Sequence, residues 1–182
     1  MTRHTRLGIM QGRLSPPINQ LIQHFPVENW KEEFPVCEEL GLGCMEWIYE
    51  HPTVFSNPLN TIESTAKIKE ISNQHGVRIN SVIADYFMVN KLFAESDQEL
   101  KNNLSMLGRL IRHCSKIDIP VVELPFVDSS ALDSKAHRQE VVKNLIPILE
   151  TIEDENIKIS LETSLPPETF LDLIRAFAPF KV

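Results

Sequence analysis

Five times along these 182 residues an apolar, β-prone run is followed by a helix-length amphipathic segment. The runs cover 7–10, 44–47, 78–84, 120–124 and 158–161. Strands separated by helices pair in parallel, because a parallel neighbour needs a crossover of about a dozen residues. In such sheets the carboxyl ends of all strands share one face, and ligand sites are built there. A polar residue stands at or just past the end of each run: Gln11, Glu46, Asp85, Glu123 and Glu162. Four carboxylates on one rim mark a candidate site, although an acid at a strand end can also cap the next helix.

Helix signals support the alternation. Leu100, Leu104, Leu107, Ile111 and Cys114 recur at helical spacing, with Asp97 expected as the N-cap and the Asp118-Ile119-Pro120 step as the stop. A second helix over 61–74 stops at His75-Gly76, and another follows Pro166-Pro167. Pro147 is expected to kink the segment containing Val141, Leu145, Ile148 and Ile152, or to mark its late start. The first helix, near 30–40, contains Pro35 and is the least regular. Loops after strands (13–27, 49–60 and 85–96) are long, whereas Gly41-Leu42-Gly43 before a strand is short. That asymmetry suits a barrel with its chemistry on one face. A five-stranded doubly wound, flavodoxin-like sheet would satisfy the same pattern. The first run, however, leads into Gln11-Gly12-Arg13-Leu14, whose single glycine makes neither a dinucleotide fingerprint nor a phosphate loop.

Composition narrows the partners. At 42% hydrophobic residues the chain reads as one domain over 1–182, with no apolar run long enough for a membrane helix and no apolar stretch behind the basic N-terminus. A soluble, cytoplasmic protein is expected. Eighteen basic against 25 acidic residues, without a Lys/Arg cluster, disfavour nucleic acid. Cys37, Cys44 and Cys114 lack metal-ligand spacing and read as buried, reduced thiols. The six histidines are dispersed and read as solvated or capping residues.

The stretch 7–16 (Leu-Gly-Ile-Met-Gln-Gly-Arg-Leu-Ser-Pro), then Phe25-Pro26 and Asn29-Trp30, resembles the opening of the sugar phosphate isomerase/epimerase family of the xylose-isomerase-like barrel superfamily. Further blocks follow in the family's order: 41–48, 84–88, 124–128 and 161–165. The resemblance implies a (βα) TIM-type barrel of which this chain supplies about five of eight units, since such barrels run to roughly 250 residues. By this reading the chain is C-terminally incomplete and inactive alone. The resemblance also implies a divalent metal (Mn, Mg, Co or Zn) in the complete barrel, with Glu162 as ligand and catalytic carboxylate and an Asp, a His and a second Glu beyond Val182. DNA-repair endonucleases of the superfamily use histidines at early strand ends, where this chain has Asp85 and Glu123.

Sugar isomerisation or epimerisation removes a proton next to a carbonyl and stabilises an enediolate, which suits a carboxylate beside a Lewis acid. Glu162 is the candidate for that work. Gln11, Arg13, Glu46, Asn57, Asp85, Tyr86, Glu123 and Asp128 are candidate pocket residues for a sugar or sugar phosphate, the forked guanidinium of Arg13 suiting a phosphate. Two other functions fit the same residues. A non-catalytic half-barrel would self-associate or bind a partner through its exposed edges, and a lyase or dehydratase would use the same enediolate logic.

Overall fold

Five strands pair in parallel in their order along the chain: β1 (His4–Met10), β2 (Leu42–Ile48), β3 (Arg78–Ile83), β4 (Val121–Phe126) and β5 (Lys158–Thr163). This computed structural model describes residues 4–18, 20, 23–152, 156–178, 180 and 182. A doubly wound sheet reverses its strand order at a switch point. No reversal occurs here, so the topology is that of a partial barrel rather than the flavodoxin-like alternative.

Register separates the two faces chemically. Met45 pairs with Ile79, Trp47 with Val82, Val82 with Val122 and Leu124 with Leu161, all buried beneath the helices. The opposite face carries Glu46 beside Ser81, Glu123 beside Ser160, and Glu162 beside Pro125. Asn80 is unpaired where the β2–β3 register shifts, and this extra residue places Ser81 rather than Asn80 next to Glu46. Gly8 is required by the approach of β1 to β2: a Cβ there would lie 2.6 Å from Cys44 Sγ and 2.9 Å from the Cys44 carbonyl.

The helices are α1 (Glu33–Glu39), α2 (Ile62–His75), α3 (Tyr86–Val89), α4 (Asp97–Lys116), α5 (Lys135–Thr151) and α6 (Pro167–Ala176). Pro35 lies in the first turn of α1, where no intrahelical donor is missed. The N-cap of α4 is Ser96 rather than the expected Asp97, because Ser96 forms a reciprocal capping box with Glu99. Pro147 does not delay α5, which starts after the Ser134 cap and continues through the proline. The short helix α3 interrupts what the sequence presents as one loop. All three cysteines are free and buried, as expected.

One aromatic cluster ties the first loop to the sheet. Around Trp47 the rings of Phe25, Trp30 and Phe34 lie at 5.7, 5.5 and 6.5 Å between centroids. Rings of this size each bury 150–250 Å², roughly, which anchors the 25–34 segment against β2.

Candidate active site

At the carboxyl ends of the strands the chain gathers acids from four consecutive βα units. Glu46 lies within β2 and accepts the Ser81 hydroxyl at 2.7 Å; Glu123 lies within β4 and accepts the Ser160 hydroxyl at 3.2 Å. Both sit below the strand termini, a residue or more deeper than their sequence positions suggest, because β2 and β4 run on to Ile48 and Phe126. Asp85 follows β3, and Glu162 stands exposed near the end of β5.

Electrostatics shows that these carboxylates share a field. Burial raises the Asp85 carboxyl to about 6, and repulsion from Glu50, Glu162, Glu46 and Glu123 adds to it. Glu123 is raised by burial and by Glu46 and Glu162, against the lowering effect of its Ser160 bond. An acid whose proton affinity is raised toward neutrality, beside other acids, is suited to proton transfer. The structure therefore brings Glu46, Asp85, Glu123 and Glu162 together, and it adds Glu50, which lies in the long loop after β2 and carries no sequence signal of its own.

The other candidates separate from this group. Gln11 is fully buried, its amide oxygen accepting the Ile48 N–H at 3.1 Å, so it ties β1 to β2. Arg13 is exposed and donates to Gln23 Oε1 at 3.2 Å rather than to a rim acid. Asn57 is buried, accepting from Trp47 Nε1 at 3.1 Å and Leu59 N at 3.0 Å and donating to the Ile48 carbonyl at 2.8 Å. Its polar atoms brace the loop after β2. Tyr86 packs its ring on Tyr49, His51 and Phe87, and burial raises its phenol. Asp128 is exposed in the loop after β4, at a backbone φ of 48°.

Sequence reasoning missed two further groups. Glu33 is almost fully buried and accepts from the N–H groups of Gly12 (2.9 and 3.0 Å) and Leu14 (3.1 Å) and from the Ser15 hydroxyl (3.0 Å). Burial raises its carboxyl while these donors lower it. It serves as the anchor of the loop after β1, from a distance of about twenty residues that no local pattern reveals. The histidines also depart from expectation: His113 is buried with Nδ1 2.6 Å from the Leu59 carbonyl, and His24 pairs with Glu50. These rings are packed by tertiary contacts, not solvated.

The acids fall short of a metal centre. Among the described residues no three Asp, Glu, His or Cys side chains are close enough to hold a metal ion. A hard divalent cation takes about six oxygen ligands, so Glu162 with its described neighbours does not meet that demand. Among the described residues no helix is long and apolar enough to cross a membrane.

Sheet order, parallel pairing and the acid-bearing strand ends define a partial (βα) barrel. Its fold is similar to that of solved TIM barrels described as xylose isomerase-like. The chain is similar to D-psicose 3-epimerase solved in the presence of D-fructose: 13% identity, 96% of this chain, 61% of that one, TM-score 0.71. Similar figures hold for D-psicose 3-epimerase with D-tagatose from Clostridium cellulolyticum H10: 13% identity, 94% and 59% of the two chains, TM-score 0.66. A xylose isomerase-like TIM barrel protein from Mycobacterium smegmatis in complex with magnesium matches at 14% identity over 94% and 60%, TM-score 0.64. The chain thus spans about 60% of the length of these solved structures. No protein-family model matches it, and no curated protein does.

Proposed function

We propose that the chain supplies the acid-lined rim of a sugar isomerase or epimerase that exchanges a proton next to a carbonyl. The observation that carries this reading is Asp85, held near pH 6 among Glu46, Glu50, Glu123 and Glu162 at the strand ends. A carboxyl with that proton affinity accepts and returns a proton at neutral pH, while the carboxyl oxygens around it accept hydrogen bonds from sugar hydroxyl groups and orient them. Glu162, exposed on the same face, is the second proton carrier and, in a complete barrel, would give one oxygen ligand to a divalent cation such as Mn²⁺, Mg²⁺, Co²⁺ or Zn²⁺. The solved structures with D-fructose and D-tagatose support a small sugar as ligand. Phosphate on that sugar has less support, since Arg13 is turned toward Gln23.

The test is proton exchange. D-fructose and D-tagatose are incubated with the chain in D₂O, with and without added Mn²⁺, and followed by NMR. The expected result is slow replacement by deuterium of the carbon-bound hydrogen next to the carbonyl, without net isomerisation by this chain alone, and its loss in E162Q and D85N. The reading is overturned if the chain shows no exchange and no sugar binding under all of these conditions. A lyase or dehydratase would show the same exchange together with loss of water or cleavage, and product analysis separates the two.

A second reading rests on the sheet edges. Among the described strands β1 pairs only with β2 and β5 only with β4. Beside β5 an open groove of about 650 Å³ is lined by Val121, Ile159, Leu161, Phe170 and Ile174 together with Lys158 and Ser160. An unpaired edge flanked by apolar surface favours association of copies. Sedimentation velocity over a hundredfold range of concentration is expected to show self-association, and a monomer throughout would refute it.

A further inference from the structure

His24 and Glu50 come from the loops after β1 and β2 and meet at the rim. Nδ1 of His24 lies 2.6 Å from Glu50 Oε1, and both side chains are mostly buried, at 18% and 13% exposure. The same Oε1 accepts the Phe25 N–H at 2.5 Å. Glu50 is also the carboxylate that weighs most on Asp85. The imidazole is therefore one carboxylate removed from the central acid of the site.

The loop has anchors besides this imidazole. Phe25 is fully buried against Trp47, its N–H is already bound to Glu50, and Glu33 holds Gly12, Leu14 and Ser15. Gly12 sits at φ +84°, and a Cβ there would collide with the His24 carbonyl oxygen, so the backbone at His24 is seated directly on the turn after β1. The ring pairing with Glu50 adds orientation. A carboxylate only accepts, so Nδ1 carries the proton of this contact, and Nε2 is left with no protein partner among the described residues.

We infer that His24 is a ligand-contacting residue of the rim, aimed by Glu50 as its positioning residue, and that its Nε2 hydrogen-bonds a hydroxyl group of a polyhydroxylated sugar. The inference rests on the sugar-handling reading above and extends the ligand surface from the acids of β2 to β5 to the loop after β1.

The experiment uses the ¹⁵N-labelled chain titrated with D-fructose and D-tagatose. Long-range ¹H–¹⁵N spectra read the tautomer of the His24 ring, and backbone spectra read Asp85 and Glu123. The expected result is a protonated Nδ1 facing Glu50, with the proton pattern of the ring changed in E50Q. Nε2 of His24 should shift on sugar addition in step with the rim amides. H24A should weaken binding about tenfold, the loss of one hydrogen bond, and E50Q several-fold with His24 still present. Rim amides that shift while His24 Nε2 stays fixed, or sugar affinity unchanged in H24A, would overturn the inference and leave the sugar-handling reading standing. No shift at any rim residue would overturn both. The ring measurements are made on the unsubstituted chain, so they decide the matter even if H24A does not fold.

Discussion

Replacing Asp85 with asparagine probes the rim through stability instead of activity. Burial and four neighbouring acids move this carboxyl from an ordinary 3.8 to about 6. A tenfold change in proton affinity corresponds to about 1.4 kcal/mol, so the ionised side chain destabilises the folded state by roughly 3 kcal/mol at neutral pH. The sign follows from proton binding. Below pH 3.8 the group is protonated in both states and contributes nothing. Between 3.8 and about 6 the unfolded chain ionises first, and stability falls; above about 6 the full penalty is present. Asparagine is uncharged throughout, and the Asp85 side chain makes no capping bond to α3 that would be lost. D85N should therefore be more stable by roughly 2–3 kcal/mol near pH 7.5 and indistinguishable near pH 3.5, with urea melts as the assay. A gain of equal size at both values, or none near 7.5, would refute the electrostatic reasoning. A residue whose removal strengthens the fold is one whose presence answers to a ligand, the usual trade at working sites.

Three further outcomes follow from the loops that frame the rim. E33A leaves the donors of Gly12, Leu14 and Ser15 without their acceptor and should cost roughly 3–5 kcal/mol in urea melts. E33Q keeps an acceptor oxygen and should cost clearly less; equal losses would show that these bonds carry little. N57A removes the partner of the Trp47 indole and of Leu59 N, and a loss of about 2–4 kcal/mol is expected, with equal stability counting against the bracing role. G12A combines a positive φ with a collision against the His24 carbonyl oxygen, so the amide resonances of the His24–Phe25 segment should move; unchanged spectra would contradict the seating.

Much of the scaffold was legible in the residues because its signals are local. Apolar runs alternating with 3.6-period stripes, Gly76 closing α2 and Pro167 opening α6 all act within a few positions, and each was found where expected. Errors lie where two local signals compete. Ser96 and Asp97 are both good caps, and only the reciprocal bond to Glu99 selects Ser96. Pro147 breaks a helix in isolation, yet α5 runs on through it with Val141, Leu145 and Leu149 buried on its packed face.

By itself the sequence determined five parallel βα units and put four acids near the ends of their strands. Periodicity and chirality dictate that much, since a strand-helix repeat can wind in only one sense. Tertiary structure decided which of those acids act on one another, that Glu50 joins them, that Gln11 Oε1 and Asn57 hold strands and loops, and that His24 stands beside the rim. These facts depend on register and on loops meeting across the top of the sheet. The Asn80 bulge turns Ser81 toward Glu46, and Glu33 reaches back about twenty residues to seat the first loop. Electrostatic energy and burial depend on distance in space, and distance along the chain carries no record of either.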